Sequence, residues 1–165
     1  MILLTTSRRP NRQTRLLARE LSRVLPGARY LPRGSKSVRD LFFLARRFGL
    51  RAVAVVESRE GLPSLLRIML PGGEAWEEME IRLTGYRLWT RKVSLSPTRI
   101  EPIPGGEEFA RELSRFISLP VGAAGGEPAV FVGRGEVFFG DGSGKAGPEL
   151  MVSGWRLLHA GAREA

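Results

Sequence analysis

The residues of this chain best suited to chemistry are arginines that follow a short turn rich in hydroxyl groups. Residues 5–10 read Thr-Thr-Ser-Arg-Arg-Pro, and four more arginines follow at spacings of three and four: Arg12, Arg15, Arg19 and Arg23. On a helix this spacing places the four side chains on one face. Guanidinium groups donate paired hydrogen bonds to phosphate oxygens, and a helix amino terminus attracts anions. The pattern predicts a phosphate-binding surface made by Thr6, Ser7, Arg8, Arg9, Arg12, Arg15 and Arg19.

Two further groups of basic residues extend this predicted surface. The first surrounds the loop before a second helix and continues along that helix, where Phe43 is expected among the charges rather than in the core. The second surrounds Trp89 and Tyr86, whose rings could stack on nucleic acid bases. The basic residues that we add to the predicted RNA-binding set are Arg33, Lys36, Arg39, Arg91 and Lys92.

Charge is distributed unevenly along the 165 residues. Residues 1–100 hold 20 Lys and Arg against 8 Asp and Glu, whereas residues 101–165 hold 6 against 9. The first part therefore carries a balance of +12 and the second a balance of −3. A basic part joined to a mildly acidic part indicates one surface for nucleic acid and another for protein or solvent.

Catalytic and metal-binding functions find little support in the residues. The chain has no cysteine, which excludes a disulfide framework, a thiolate metal site and a cysteine nucleophile. Its single histidine, His159, cannot form a zinc site alone and is expected at the surface or a helix end. The glycine-rich residues 140–145 lack the spacing of a phosphate-binding loop and are expected to form a long hairpin turn. The carboxylates of residues 74–80 are expected on a solvated face. We therefore expect no enzyme, no cofactor and no metal.

No segment approaches the roughly 20 apolar residues of a membrane-spanning helix. The first residues are also too short an apolar run for the core of a signal peptide. The sequence predicts a soluble, cytoplasmic protein that has no membrane partner.

The elements that must position these residues follow an α/β order. An apolar strand at residues 2–5 precedes a helix at 11–25, and Ser37 with Asp40 forms a capping box for a second helix at 38–48. A buried strand at 52–56, a hairpin partner at 65–70 after a turn at 61–63, and an alternating strand at 79–83 complete a unit of about 100 residues.

The second part of the chain repeats some of this order. Residues 18–23 and 110–115 both read Ala-Arg-Glu-Leu-Ser-Arg, and the strand at 52–56 has a counterpart at 129–132. This identity favours a duplication, with an abbreviated second copy that lacks the second helix. In that copy, pairs from Glu107 to Arg111 and from Glu112 to Arg115 are expected to neutralise the helix face.

The same residues resemble a known family, the Brix-domain proteins of ribosome biogenesis. The resemblance rests on the opening Leu-Thr-Thr-Ser-Arg at residues 4–8, on the Arg33-Gly34 loop, on residues 53–61 and 65–72, and on Gly147-Pro148. It is strongest toward the small-subunit-processome type and its short archaeal relatives. The chain departs from the family pattern at Gly73-Glu74 and at Glu149, so the resemblance favours nucleic acid contacts in the first half.

The resemblance implies an α/β fold of two pseudo-repeated halves, each similar to the anticodon-binding domain of class IIa aminoacyl-tRNA synthetases. It implies a single Brix domain over residues 1–165, with a basic half at 1–100 and a shorter, mildly acidic half at 101–165. The implied function is binding of precursor ribosomal RNA in small-subunit assembly, together with other assembly proteins. Two alternatives stay open: a tRNA-binding module of synthetase type, and a protein-interaction scaffold that does not bind RNA.

Overall fold

A computed structural model describes residues 1–89, 95–122 and 125–161 of the chain. The helices of these residues are α1 (Arg12–Val24), α2 (Val38–Arg47) and α3 (Glu107–Ile117). The strands are β1 (Ile2–Thr6), β2 (Arg29–Tyr30), β3 (Ala52–Arg59), β4 (Leu62–Pro71), β5 (Ala75–Arg87), β6 (Arg99–Pro102), β7 (Ala129–Val132), β8 (Glu136–Asp141) and β9 (Gly144–Gly161).

All the described strands belong to one mixed sheet, in the order β2-β1-β3-β4-β5-β9-β8-β7-β6. β1 pairs in parallel with β2 and β3, and β3, β4 and β5 then pair antiparallel. On the other side β6 and β7 are parallel, and β7, β8 and β9 are antiparallel. The long antiparallel pair of β5 and β9 joins the two parts of the sheet.

The predicted elements of the first part are confirmed. All five residues of β1 are buried, because α1 packs on one face of the sheet and α2 on the other. Ser37 and Asp40 form the capping box of α2, in which the Asp40 carboxylate accepts from the Ser37 N–H at 2.8 Å. Gly49, with a φ of +68°, follows α2 in a conformation that suits glycine and lets the chain turn back to β3.

One large apolar core connects the two parts of the chain. It contains the buried faces of α1 and α3 together with inward side chains of strands from both parts. A small cavity of about 30 Å³ lies where Leu21 of α1 approaches Leu113 and Ile117 of α3. A hydrogen bond at the surface also joins the two parts, since Arg51 Nη1 donates to Ser118 Oγ at 2.9 Å.

Two hairpin predictions are wrong in detail. Leu62 and Pro63 belong to β4 rather than to the turn, because Glu60 and Gly61 alone reverse the chain with φ values of +52° and +81°. The glycine-rich residues 140–145 do not form a long turn. Asp141 of β8 already pairs with Gly144, and β9 runs for 18 residues because it pairs with β8 along its first part and with β5 along the rest.

One carboxylate of residues 74–80 is also not on a solvated face. Glu78 is almost wholly buried, because the guanidinium group of Arg67 on the neighbouring strand β4 binds both of its oxygens. Within the described residues, no helix combines the length and the apolarity needed to cross a bilayer.

Candidate nucleic-acid interface

The exposed face of α1 carries the predicted arginine line. Arg12, Arg15, Arg19 and Arg23 are all exposed, while the opposite face buries Thr14, Leu17, Ala18, Leu21 and Val24. Arg23 pairs with Glu20 at 2.5 Å. Within the described residues, the structure gives no ion pair to the three other arginines. The face therefore presents a net positive charge to solvent.

Asn11 positions this helix relative to the sheet. Its side-chain oxygen accepts from the Thr14 N–H at 2.9 Å and from the Thr14 hydroxyl at 2.8 Å, so it caps α1. Its side-chain nitrogen donates to the carbonyl of Gly61 in the β3–β4 turn. Arg15 Nη1 donates to the Pro10 carbonyl at 3.1 Å, which orders the loop before the helix.

The end of β1 differs from the prediction in one respect. Thr6 is fully buried, and its hydroxyl has no hydrogen-bond partner among the described residues. The Thr6 hydroxyl cannot contact RNA in this conformation, because the strand is covered on both faces. Ser7 is half-buried and its N–H donates to the Val56 carbonyl at 2.9 Å, whereas Arg8 and Arg9 are exposed.

The loop between β2 and α2 brings Arg33 and Lys36 close to the end of β1. Arg33 Nε donates to the Lys36 carbonyl at 2.7 Å, and its Nη1 donates to the Thr6 carbonyl at 3.3 Å. Burial lowers the pKa of the Arg33 guanidinium, and the positive charges of Arg8 and Arg67 lower that pKa further. The negative charge of Glu57 raises it in part but does not reverse the shift. Three cations therefore meet at the carboxyl end of β1.

These cations surround a cleft of about 270 Å³ that is lined by Ser7, Arg8, Arg33, Ser37, Val38, Glu57 and Arg67. Arg67 Nη1 donates to Glu57 at 3.0 Å, and its other nitrogens bind Glu78. The hydrogen bond to Glu78 raises the pKa of Arg67. Sequence reasoning missed Arg67 and Glu57 here. They are diagonal neighbours on β3 and β4, where Arg67 pairs with Val55 and Glu57 with Leu65, and this proximity becomes visible only once the two strands are paired.

The other predicted residues of the first part lie on α2 and at the end of β5. Arg39 is exposed, as is Phe43, which lies among the charges as predicted. Trp89 is partly exposed, and the hydroxyl of Tyr86 donates to the Gln13 side chain on α1 at 2.9 Å. Arg91 and Lys92 lie outside the described residues.

The corresponding helix of the second part carries compensated charges. Arg115 binds Glu112 at 3.0 Å and Glu77 of β5 at 2.9 Å, and the predicted pair of Glu112 and Arg115 is confirmed. The predicted pair of Glu107 and Arg111 is wrong. Glu107 stands in the first turn of α3 and accepts from the Gly105 N–H at 2.9 Å, while Arg111 lies 3.9 Å from Glu112.

Other expectations for chemistry can be placed on the fold. His159 is exposed on β9 opposite Glu77, so its expected surface position is confirmed, on a strand rather than at a helix end. Among residues 1–89, 95–122 and 125–161, no group of three or more histidines and carboxylates is arranged to hold a metal ion.

A scan against profiles of known protein families finds no match to the chain. A curated protein of Methanopyrus kandleri, a probable Brix domain-containing ribosomal biogenesis protein, is 39% identical over 127 residues. That match covers 70% of this chain and 66% of the relative. The chain spans only about a third of the length of the first curated relatives that it matches, with 36% and 34% covered.

Solved structures extend the likeness to almost the whole chain. A probable ribosomal biogenesis protein from Aeropyrum pernix K1 matches with a TM-score of 0.74 and 25% identity, over 92% of this chain and 94% of that one. An archaeal Imp4-like protein named Mil matches with a TM-score of 0.70 and 25% identity, over 96% and 100%. None of these three proteins is named as an enzyme. The sequence likeness and the shared fold together show that this chain belongs to the Brix-domain family.

Proposed function

We propose that the protein is a ribosome biogenesis factor that binds precursor ribosomal RNA during small-subunit assembly. The observation that carries this proposal is the contrast between two helices of similar sequence. On α1, Arg12, Arg15 and Arg19 have no carboxylate partner among the described residues and Arg23 alone pairs with Glu20, whereas α3 pairs Arg115 with two carboxylates. Solvated like charges repel one another, so an uncompensated line favours a polyanionic ligand.

The geometry of the line suits an RNA backbone. Arg12 and Arg19 are seven residues apart, which corresponds to about 10 Å along a helix axis, enough to contact successive phosphates. The cleft at the end of β1 adds Arg8 and Arg33 at one end of the same surface. Contacts of this kind fix position and orientation on RNA without reading its sequence.

The relatives support the ribosomal assignment. The curated relative and the solved structure from Aeropyrum pernix carry ribosomal biogenesis in their names. The Imp4-like protein shares the fold over almost the whole chain. We place the RNA contacts on the basic first half, and we assign the mildly acidic second half to protein partners among the assembly factors.

We also propose that the chain is a single Brix domain of two pseudo-repeated halves, residues 1–100 and 101–165, each similar to the anticodon-binding domain of class IIa synthetases. Residues 18–23 and 110–115 have the same order of buried, intermediate and exposed positions, which supports this proposal. The strand pairing also supports this proposal. Val121 forms a parallel bridge to Ile100 of β6, just as β2 pairs in parallel with β1 in the first half. In the described residues between α3 and β7 there is no helix corresponding to α2.

The salt dependence of RNA binding tests the proposed mechanism. We expect affinity for a small-subunit ribosomal RNA fragment to fall steeply as salt rises. If about six phosphates are neutralised at a duplex-like site, the logarithm of the association constant should fall with a slope near −5 against the logarithm of salt concentration. Filter binding would measure it, with transfer RNA as the competitor.

Two results would contradict the proposal. Preference for transfer RNA over the ribosomal fragment would favour a tRNA-binding module. A lack of RNA retention at moderate salt would favour a protein-interaction scaffold whose basic charge serves solubility alone.

A further inference from the structure

We propose that unpaired nucleotides of the bound RNA stack on the exposed rings of Phe43, on α2, and Phe48, at the end of that helix. The surface consists of Arg29, Phe43, Arg46, Arg47 and Phe48, and we call it the arginine–phenylalanine surface. This inference rests on the proposed RNA binding and adds the class of RNA, which is a helix with an adjoining single strand.

Two exposed rings carry the inference. Phe43 is 61% exposed and Phe48 is 40% exposed. The guanidinium carbon of Arg29 lies 4.1 Å from the centre of the Phe48 ring, and that of Arg47 lies 6.0 Å from the Phe43 ring. A solvated ring beside an arginine provides both a stacking face and a charge for the flanking phosphate.

The arginine–phenylalanine surface continues from the arginine face of α1. The two helices lie on opposite faces of the sheet, and the path between them passes around β2. On this path the guanidinium carbon of Arg19 on α1 lies 5.2 Å from the ring centre of Tyr30 on β2. The neighbouring β2 residue, Arg29, contacts the ring of Phe48. An RNA strand leaving the α1 face around this edge would meet the Phe48 ring beside Arg29 first and would reach Phe43 along α2.

A groove beside α2 shares Phe43 and Arg46 with this surface. It has a volume of about 600 Å³, and its lining also includes Phe42, Leu50 and Arg51. None of its lining residues is acidic. A lining of apolar side chains and arginines complements a nucleotide, which joins an aromatic base to an anionic phosphate.

The chemistry selects a single strand over a duplex. Bases in a duplex are stacked on their neighbours, and the deep, narrow major groove of A-form RNA does not admit side chains. Unpaired bases leave their faces open to aromatic rings. A protein segment bound in the same groove would contact any apolar side chain of similar size, whereas a base requires an aromatic ring. A substitution that keeps apolar volume but removes the ring therefore separates the two occupants experimentally.

The experiment compares a short blunt RNA hairpin with the same hairpin carrying a single-stranded tail that contains 2-aminopurine. With the full-length protein, we expect the tail to raise affinity severalfold and its fluorescence to be quenched on binding. Phe43→Leu keeps apolar volume but removes the aromatic face. It should remove most of the gain from the tail, roughly a fivefold loss for one stacked base, and leave hairpin affinity unchanged.

Phe43→Trp should keep the gain and the quenching, which separates loss of stacking from loss of folding. Phe138→Leu is the control in the acidic part of the chain, where the half-buried ring stacks on Phe131 and lies 4.7 Å from Lys145 Nζ, and it should change neither affinity. Equal affinity for both RNAs, with tight binding of the blunt hairpin, would overturn the stacking proposal and leave the proposed function standing. An unchanged gain in Phe43→Leu would likewise overturn it and favour a protein in the groove. Failure to bind either RNA would overturn both proposals.

Discussion

At the scale of single residues, the most constrained group is the buried pair of Arg67 and Glu78. Arg67 Nε and Nη2 bind the two oxygens of Glu78 at 2.6 and 2.9 Å, and the indole N–H of Trp76 donates to the same carboxylate at 3.2 Å. Burial raises the pKa of Glu78, but the bonds from Arg67 outweigh burial and the net pKa is lowered. The carboxylate is therefore charged beneath the cleft and holds Arg67 in place.

We expect Glu78→Gln to lower the free energy of unfolding by about 2 kcal/mol, because it leaves a half-buried guanidinium beside an amide that also donates hydrogen bonds. Urea denaturation at neutral pH measures this loss. Since the folded pKa of Glu78 is lowered, its contribution is present above the ordinary carboxyl pKa and is lost as pH falls through the folded value. The difference between wild type and variant should therefore shrink in acid, and a constant difference would refute the assigned charge.

At the scale of elements, α1 depends on Asn11 both for its first turn and for its attachment to the sheet. We expect Asn11→Ala to lower the free energy of unfolding by about 1 kcal/mol or more, since it removes a cap and the bond to the Gly61 carbonyl. Asn11→Asp keeps the cap and loses only the donor to Gly61. Ser37→Ala on α2 serves as the comparison for loss of a cap alone. If Asn11→Asp proves as destabilising as Asn11→Ala, the cap contributes nothing.

The elements that were predictable from sequence are those whose signals are local. The capping box of Ser37 and Asp40, the apolar periodicity of α1 and the β-branched run of β3 lie within short windows, and the structure confirms them. Two of the errors depend on partners distant in sequence. β9 is long because β5 and β8 both pair with it, and Glu78 is buried because Arg67 on the next strand binds it.

The candidate site divides in the same way. Exposure of the α1 arginines follows from helix periodicity, so those residues were predictable. Burial of Thr6 was not, because it depends on two helices that cover both faces of β1. Arg33 lines the cleft because the loop between β2 and α2 lies at the end of β1, where Arg33 donates to the Thr6 carbonyl. That position follows from the parallel pairing of β1 with β2.

At the scale of the whole molecule, one sheet and one core combine two parts of unlike charge. The apolar cluster includes buried residues of α1 and α3 alike, so both parts contribute to stability. Their surfaces differ, with a balance of +12 over residues 1–100 and −3 over residues 101–165. We propose that this difference marks the RNA-binding face.

The most direct test compares charge reversal in the two helices that share a hexapeptide. Arg12→Glu with Arg15→Glu should lower affinity for a ribosomal RNA fragment at least tenfold, or about 1.4 kcal/mol, while the thermal midpoint changes little because both side chains are solvated. Arg111→Glu with Arg115→Glu should leave affinity nearly unchanged and lower the thermal midpoint slightly, because Arg115 loses its bonds to Glu77 and Glu112. Affinity and thermal midpoint would be measured for both double variants in the same buffer. Equal losses of RNA affinity would contradict the account, since the RNA-binding face would then not follow the charge difference.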